Sequence, residues 1–394
     1  MLSVYFVYHV VLNASRPSHG FASYYTASIL LIEGEDVADF YNDDWFSSKV
    51  EDYVTGVYEI FLVNMPTTAI IFLPIANFDY ETAKIIWTIF NILLLTVVFG
   101  LIINKLKLEG IWLPIAFIIL LAFQPLYANV AFGQVYIFIF CLLVLAWFAY
   151  ESGNELLLGI SIGLVFILKT AGIFLLILLV IKKKWRSLLW FFAIVLFLFA
   201  VTLPIFGIES WSAYLNKLLD YSSSPTLSVT AYQTIHSFFH HLFVFDMQWN
   251  PEPLIDLPLL GKSIKILFTL IILIVTIIAA IKSKRPELVF GSFIIVGIIL
   301  SPPSIDYHYM LMLIPIFILF NRLIKNPSVG LWSLFAISYL LIATSLPYIS
   351  PKITSGHWAL FAYPKLYGAL GLWFLTLRVS YLSNLIDGRE MKKC

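Results

Sequence analysis

Residues 182–208 have the sequence KKKWRSLLWFFAIVLFLFAVTLPIFGI, and this stretch decides the fold class. Four basic residues within five positions precede 22 residues that contain no Asp, Glu, Lys or Arg. An apolar run of about 20 residues is long enough to cross the hydrocarbon core of a bilayer as one helix. Basic residues at a helix end are typical of the cytoplasmic side. The stretch therefore predicts a membrane span that starts in the cytoplasm.

The rest of the 394-residue chain repeats this pattern. Of its residues, 61% are hydrophobic and 12% are charged, and that charged fraction is about half the value of a soluble domain. Further uncharged runs cover residues 110–150, 288–305 and 326–351. The composition excludes a soluble globular protein. A net charge of +1, without a large basic patch, argues against a nucleic-acid partner.

Five clusters of basic residues orient the chain. They are Lys105 and Lys107; Lys182, Lys183, Lys184 and Arg186; Lys282, Lys284 and Arg285; Arg322 and Lys325; and Arg378, Arg389, Lys392 and Lys393. Because short basic loops stay cytoplasmic, an even number of spans must separate neighbouring clusters. Twelve spans satisfy this condition, with both termini in the cytoplasm. They are predicted at about residues 2–14, 84–104, 110–127, 135–150, 155–168, 170–182, 187–206, 263–282, 287–301, 307–322, 328–346 and 358–378.

The requirement for an even number of spans between basic clusters makes two local predictions. A span over the apolar residues 61–78 would move the first basic cluster outside, so we expect a re-entrant or juxtamembrane helix there, broken near Pro66 and Pro74. One continuous helix over residues 156–181 would move the second cluster outside. We therefore expect two short helices that fold back at Lys169, with its ammonium near the outer interface.

The predicted architecture is a single all-α, polytopic membrane domain over residues 1–394. It has two long extracytoplasmic loops, at residues 13–83 and 207–262, and most acidic residues fall in such outer segments. Loops of this length in a compact protein are usually functional. The sequence thus predicts a multi-pass protein of the plasma or inner membrane whose polar machinery faces outward.

Carboxylates and aromatic rings alternate in the first loop. Such pairs suit sugar recognition, because rings stack on sugar C–H faces while carboxylates accept hydrogen bonds from hydroxyls. The alternative is a row of interfacial aromatics beside a solvated acidic loop. The residues concerned are Asp36, Asp39, Phe40, Tyr41, Asp43, Asp44, Trp45 and Phe46.

Ionisable residues also lie at outer helix ends. Lys169, Asp306 and His308 are functional candidates, because a charge at membrane depth is costly. The alternatives are snorkelling of Lys169 to the interface and a structural hydrogen bond between Asp306 and His308. No nucleotide-binding or zinc motif is present, so we predict neither a metal nor another cofactor.

Five short motifs resemble glycosyltransferase family 87. The family comprises polytopic enzymes of the GT-C class that use polyprenyl-phosphate sugars, among them phosphatidylinositol-mannoside mannosyltransferases. The resemblance implies a GT-C-type fold and transfer of mannose or an arabinofuranose-like sugar to a lipid or glycan acceptor. The motifs are FASYYTA (residues 21–27), NMPTT (64–68) before LPIA (73–76), FGQ (132–134), GISIGLVFILK (159–169) and SPPSIDYH (301–308).

The resemblance also implies a catalytic acid in the first outer loop, often just before the first motif. This chain has Gly20 at that position, so Asp43 or Asp44 is the predicted base, with Asp36, Asp39 and His19 as alternatives. Lys169 and, in its protonated form, His308 are predicted to stabilise the phosphate leaving group, and Asp306 to orient His308. The other predicted substrate contacts are Tyr24, Tyr25, Asn64, Gln134 and His19.

Two other classes of protein remain possible from the sequence. One is a flippase or transporter of lipid-linked sugars, which would favour internal repeats and ionisable residues at mid-membrane depth. The other is a polysaccharide ligase or polymerase. The absence of a repeat and the placement of candidate residues toward one face favour an enzyme.

Overall fold

The computed structural model of the chain describes residues 1–62, 64–345, 350 and 352–390, and within them it is all-helical. The α-helices are α1 Leu2–Asn13, α2 His19–Glu33, α3 Asp43–Tyr53, α4 Thr68–Ile71, α5 Tyr80–Leu106, α6 Trp112–Leu121, α7 Gln124–Phe132, α8 Tyr136–Ser152, α9 Glu155–Lys169, α10 Ile173–Ile181, α11 Trp185–Ser222, α12 Ile235–Phe243, α13 Pro258–Lys282, α14 Pro286–Leu300, α15 Leu313–Lys325, α16 Val329–Ala343 and α17 Pro364–Glu390. Short 3₁₀ helices cover Val37–Tyr41, Leu73–Ile75, Pro225–Ser228, Asp306–Met312 and Gly356–Phe361. The predicted all-α class is confirmed.

Four helical stretches in the described residues are long and apolar enough to cross a membrane. They are Tyr80–Leu106, Trp185–Ser222, Pro258–Lys282 and Asp306–Lys325. A bent pair, Trp112–Leu121 with Gln124–Phe132, makes a fifth if it counts as one span. Twelve spans therefore remain a prediction, since the other apolar helices are shorter.

The centre of the protein consists of helices that are largely buried. In α8, α14 and α15 most side chains are buried against other helices. By contrast, α13 exposes a row of large apolar side chains, including Leu267, Ile271 and Ile274. An exposed apolar helix surface of this extent fits contact with lipid chains.

The chain reverses direction between α9 and α10, as predicted. The ion pair between Glu155 and Lys184 has a 3.7 Å N–O distance, although one continuous helix would separate these residues by roughly 40 Å. The break uses positive φ angles at Thr170 (45°) and Gly172 (77°), which end α9 and start α10 in a new direction. Lys169 consequently lies at the turn.

Contacts between helix ends gather the described members of the basic clusters at one end of the bundle, here called the basic end. Lys392 and Lys393 lie outside the described residues, and the membrane side of this end remains a prediction. The contacts are Lys105–Glu151, Lys184–Glu155, Arg322–Glu287, Lys182 to the carbonyl of Ser283, and Ser283 to Ser380.

The described residues between 61 and 78 do not form a long helix. They contain the four-residue α4 and the 3₁₀ turn Leu73–Ile75, as expected for a segment interrupted by two prolines. The hydroxyls of Thr67 and Thr68 donate to the carbonyls of Ile167 and Leu168, in the last turn of α9. These bonds satisfy carbonyls that a helix end leaves unpaired, and they bring Asn64 next to Lys169.

The α9–α10 reversal makes a cross-linking prediction. A cysteine pair replacing Glu155 and Lys184 should be joined by a short bis-maleimide in the full-length protein, because the native side chains are in contact. The control pair, Lys169→Cys with Lys184→Cys, should remain unlinked, since α10 separates the two positions. Failure of the Glu155/Lys184 pair to cross-link would show that α9 and α10 do not reverse.

Candidate functional site

A cavity of about 450 Å³ lies at the end of α9 opposite the basic end. Its walls come from α2, the segment around residues 59–64, the start of α8, the α9–α10 turn, the end of α14 and the following loop. A larger groove of about 660 Å³ between α1, α5 and α6 is mostly apolar and reaches the basic end. The cavity is the candidate site because polar and ionisable side chains converge there. They are Tyr24, Glu59, Asn64, Gln134, Tyr136, Lys169, Tyr221, Tyr232, Tyr307 and His308.

Lys169 supplies a positive charge to the cavity. Its ammonium donates to the Oδ1 atom of Asn64 and lies 5.1 Å from the centre of the Tyr24 ring. An ammonium over an aromatic face is stabilised by the ring quadrupole. The side chain is half-buried and faces the cavity, where it can meet an anionic ligand.

Glu59 is the carboxylate of the cavity wall among the described residues. Its side chain is 22% exposed, and Oε1 accepts the N–H of Ile60 at 3.0 Å. Burial raises the pKa of Glu59 to about 7, while Ile60, His19 and Lys169 act in the opposite direction. A carboxylate with a pKa near neutrality is suited to proton transfer.

The sequence contains a signal for Glu59 outside the five motifs. Glu59 is the one charged residue between Gly56 and Phe78, five positions before the start of the NMPTT motif. An isolated acid in an apolar segment is a candidate for burial with a perturbed pKa.

The predicted bases Asp43 and Asp44 do not line the cavity. Both lie in the first turn of α3, where a negative charge complements the helix dipole. Asp43 pairs with Lys217 of α11 at 2.6 Å, and Asp44 is exposed. Asp36 caps the 3₁₀ turn by accepting the N–H of Ala38. These contacts give the acidic cluster a structural role.

His308 lies in the cavity, but Asp306 does not orient it, contrary to the sequence-based expectation. The backbone N–H of Ile305 donates to His308 Nδ1 at 3.2 Å, and the ring packs against Tyr136 and Tyr307. Asp306 Oδ1 instead lies 3.6 Å from the ammonium of Lys365. Because Nδ1 accepts a hydrogen bond, the neutral ring carries its proton on Nε2.

The remaining predicted contacts divide into two groups. Tyr24, Asn64 and Gln134 line the cavity together with Lys169 and His308. Tyr25 and His19 do not line it: the hydroxyl of Tyr25 donates to the carbonyl of Phe78, and the side chain of His19 is 65% exposed. His19 Nδ1 nevertheless lies 4.0 Å from Glu59.

Gln134 occupies the space next to Gly20. The hydroxyl of Tyr24 donates to Gln134 Oε1 at 2.7 Å. A β-carbon added to Gly20 would overlap Gln134 Nε2 and lie 2.8 Å from the carbonyl oxygen of Phe132. Residue 20 therefore cannot carry an acid in this packing, and Glu59 supplies the carboxylate from another segment.

Comparison with known proteins gives one match. The family model of glycosyltransferase family 87 matches residues 61–302, which include Asn64, Gln134 and Lys169 of the cavity. No curated protein and no solved structure matches the chain.

The contact at Gly20 makes a stability prediction. Gly20→Ala should destabilise the protein by about 1–3 kcal/mol, because the added methyl overlaps Gln134 and the backbone at Phe132. Thermal unfolding in detergent measures the loss. Gly20→Ala with Gln134→Ala should recover part of it, and Gly100→Ala, with open space around it, is the control. A Gly20→Ala protein as stable as wild type would contradict the packing.

Proposed function

Because the chain belongs to glycosyltransferase family 87 and is therefore a membrane glycosyltransferase, we propose that it uses a polyprenyl-phosphate sugar as donor. The sugar is mannose or an arabinofuranose-like pentose, and the acceptor is a hydroxyl of a lipid or glycan. The reaction takes place on the extracytoplasmic face of the plasma or inner membrane. The observation that carries this proposal is one cavity that contains a carboxylate, an ammonium and an apolar wall.

Glu59 is the proposed general base. A pKa of about 7 leaves a substantial fraction of the carboxylate ionised at neutral pH and keeps it basic enough to accept the proton of an acceptor hydroxyl. The oxygen then attacks the anomeric carbon, and the bond from that carbon to the phosphate oxygen breaks. The half-buried setting of Glu59 limits competition from water for the reacting sugar.

Lys169 and His308 are proposed to stabilise the leaving phosphate. The Lys169 ammonium, held by Asn64, offsets negative charge that develops on the phosphate oxygen. His308 can add a neutral Nε2–H donor, since its Nδ1 already accepts the N–H of Ile305. A phosphate is a good leaving group, so this proposal requires no metal ion and no general acid.

The apolar wall is proposed to hold the lipid part of the donor. It is contributed by α8, α10 and α14, and it ranges from the buried Leu143 and Phe293 to the exposed Ile173. A polyprenyl chain placed here leaves its phosphate beside Lys169, at the polar end of the same cavity. The wall residues are Leu143, Ile173, Phe174, Phe293, Ile294 and Gly297.

An assay with radiolabelled donor tests the reaction and its base. Purified protein in lipid should convert polyprenyl-phosphate mannose or arabinofuranose, with a lipid or glycan acceptor, into labelled product. Glu59→Gln should lower the rate by about 10²- to 10⁴-fold, the usual contribution of general base catalysis. Deprotonation of Glu59 creates the active base, so the rise in rate with pH through about 7 that Glu59 contributes should be absent from the Glu59→Gln profile.

Asp52→Asn, at an exposed carboxylate of the same outer segment, is the matched control and should keep the wild-type rate and pH profile. Normal activity in Glu59→Gln together with a loss of activity in Asp43→Asn or Asp44→Asn would show that the general base is a carboxylate of α3 and not Glu59. Movement of donor across vesicles without labelled product would favour a flippase.

A second prediction concerns the apolar wall. An added β-carbon at Gly297 would lie 3.9 Å from Phe174 Cδ2, so the larger Gly297→Leu side chain should intrude on the space for the lipid. We expect KM for a long-chain donor to rise about tenfold, equivalent to about 1.4 kcal/mol, with little change for a short-chain prenyl-phosphate sugar. Gly330→Leu, in open space, is the control. Equal effects on both donors would place the lipid elsewhere.

A further inference from the structure

Three side chains hold three consecutive backbone carbonyls immediately before Gln134. Lys84 donates to Ala131 at 3.2 Å, Ser18 to Phe132 at 3.2 Å and Trp87 to Gly133 at 3.0 Å. Lys84, Ser18 and Trp87 are here called the carbonyl clamp. Three fixed carbonyls in succession leave this turn little freedom to change the direction of the next side chain.

Lys84 is an unusual member of the clamp. Its side chain is fully buried in α5, and its ammonium donates to the carbonyls of Arg16 and Ala131. Ala131 lies in the last turn of α7, where the helix dipole favours a positive charge. Among the described residues no carboxylate pairs with Lys84, so carbonyl oxygens alone compensate a costly charge.

Trp87 lies three residues after Lys84, on the same face of α5. The two side chains hold carbonyls on either side of Phe132. The turn itself is closed by the N–H of Gln134, which donates to the carbonyl of Asn129 at 3.0 Å, and by Gly133 at a φ of 60°. The backbone position of Gln134 is thus defined from both α5 and α7.

The side-chain amide of Gln134 is also oriented. Because Tyr24 donates to Oε1, the Nε2 group is the part of the amide that remains as a donor. Nε2 has no hydrogen-bond partner among the described residues, and Gln134 belongs to the cavity wall. An oriented N–H donor of this kind can pair with one hydroxyl oxygen of a sugar. An epimer that directs this hydroxyl elsewhere leaves the donor unpaired.

We propose that Lys84 and Trp87 are positioning residues that set the sugar specificity of the enzyme through Gln134. This inference rests on the proposed function. It assigns the clamp a role in selecting the donor sugar, which is separate from proton transfer at Glu59 and phosphate binding at Lys169. A hydrogen-bonding site rejects an analogue that lacks the matching group because its own polar atom is then unsatisfied.

A double-mutant cycle tests the proposal. Trp87→Phe keeps an aromatic ring but removes the donor to Gly133, and Gln134→Ala removes the amide. Each variant should lower the ratio of kcat/KM between two polyprenyl-phosphate sugars that differ at one hydroxyl, by about tenfold for a lost hydrogen bond of about 1.4 kcal/mol. In the Gln134→Ala background, Trp87→Phe should have no further effect on that ratio.

Thr88→Val, at a buried neighbour outside the clamp, is the matched control and should leave the ratio unchanged. Lys84→Met should resemble Trp87→Phe where the protein folds, and Lys84→Arg should restore part of the selectivity. An equal loss of kcat/KM for both sugars, or additive effects of Trp87→Phe and Gln134→Ala, would overturn the positioning role.

Hydrogen exchange provides a readout that does not depend on activity. In the full-length protein, Trp87→Phe should speed exchange of the amides of Gly133 and Gln134, and residues 286–300 should be unaffected. Unchanged exchange would show that Trp87 does not hold the turn. If wild-type protein uses no polyprenyl-phosphate sugar, the proposed function fails, whereas the exchange result still decides whether the clamp exists.

Discussion

The ammonium of Lys169 at the end of a membrane-protein helix is the constraint on which the site depends. A charge at this position needs compensation, and the structure supplies it with the oxygen of Asn64 and the face of the Tyr24 ring. Both contacts require the chain to stop α9 at Lys169 and to bring distant segments to the helix end. The reversal at residues 170–172 and the threonine bonds to the last carbonyls of α9 meet this requirement.

The two groups that contact the Lys169 ammonium do not neutralise its charge, so it can still interact with an anionic ligand. Asn64 and the Tyr24 ring are neutral, and the half-buried Glu59 stays close enough for Lys169 to influence its pKa. Desolvation is the larger effect on Glu59, which explains how a carboxylate near an ammonium still has a raised pKa. Among the described residues Glu59 lies within ion-pair distance of His19 and not of Lys169, so the two groups can act on different parts of a substrate in the cavity.

Different structural elements contribute the proposed catalytic groups and the proposed lipid-binding surface. The α9–α10 turn and the segment at residues 59–64 contribute the charged groups, while α8, α10 and α14 contribute the apolar wall. The long helix α5 contributes no lining residue to the cavity. Its residues Lys84 and Trp87 nevertheless hold the turn that carries the lining residue Gln134. A rigid support behind a polar contact is the arrangement that precise recognition requires.

The sequence by itself determined the all-α membrane class, the break at Lys169 and the grouping of the described basic residues. These properties depend on run lengths and charge order, which are local. Motif order also predicted Tyr24, Asn64, Gln134, Lys169 and His308 as site residues, and the structure places these five in one cavity. Only the tertiary structure decided that Glu59, and not Asp43, faces that cavity. Asp43 instead forms an ion pair with Lys217, which lies 174 positions away in the chain. Burial and pairing of this kind arise from contacts between distant segments, so no local pattern specifies them.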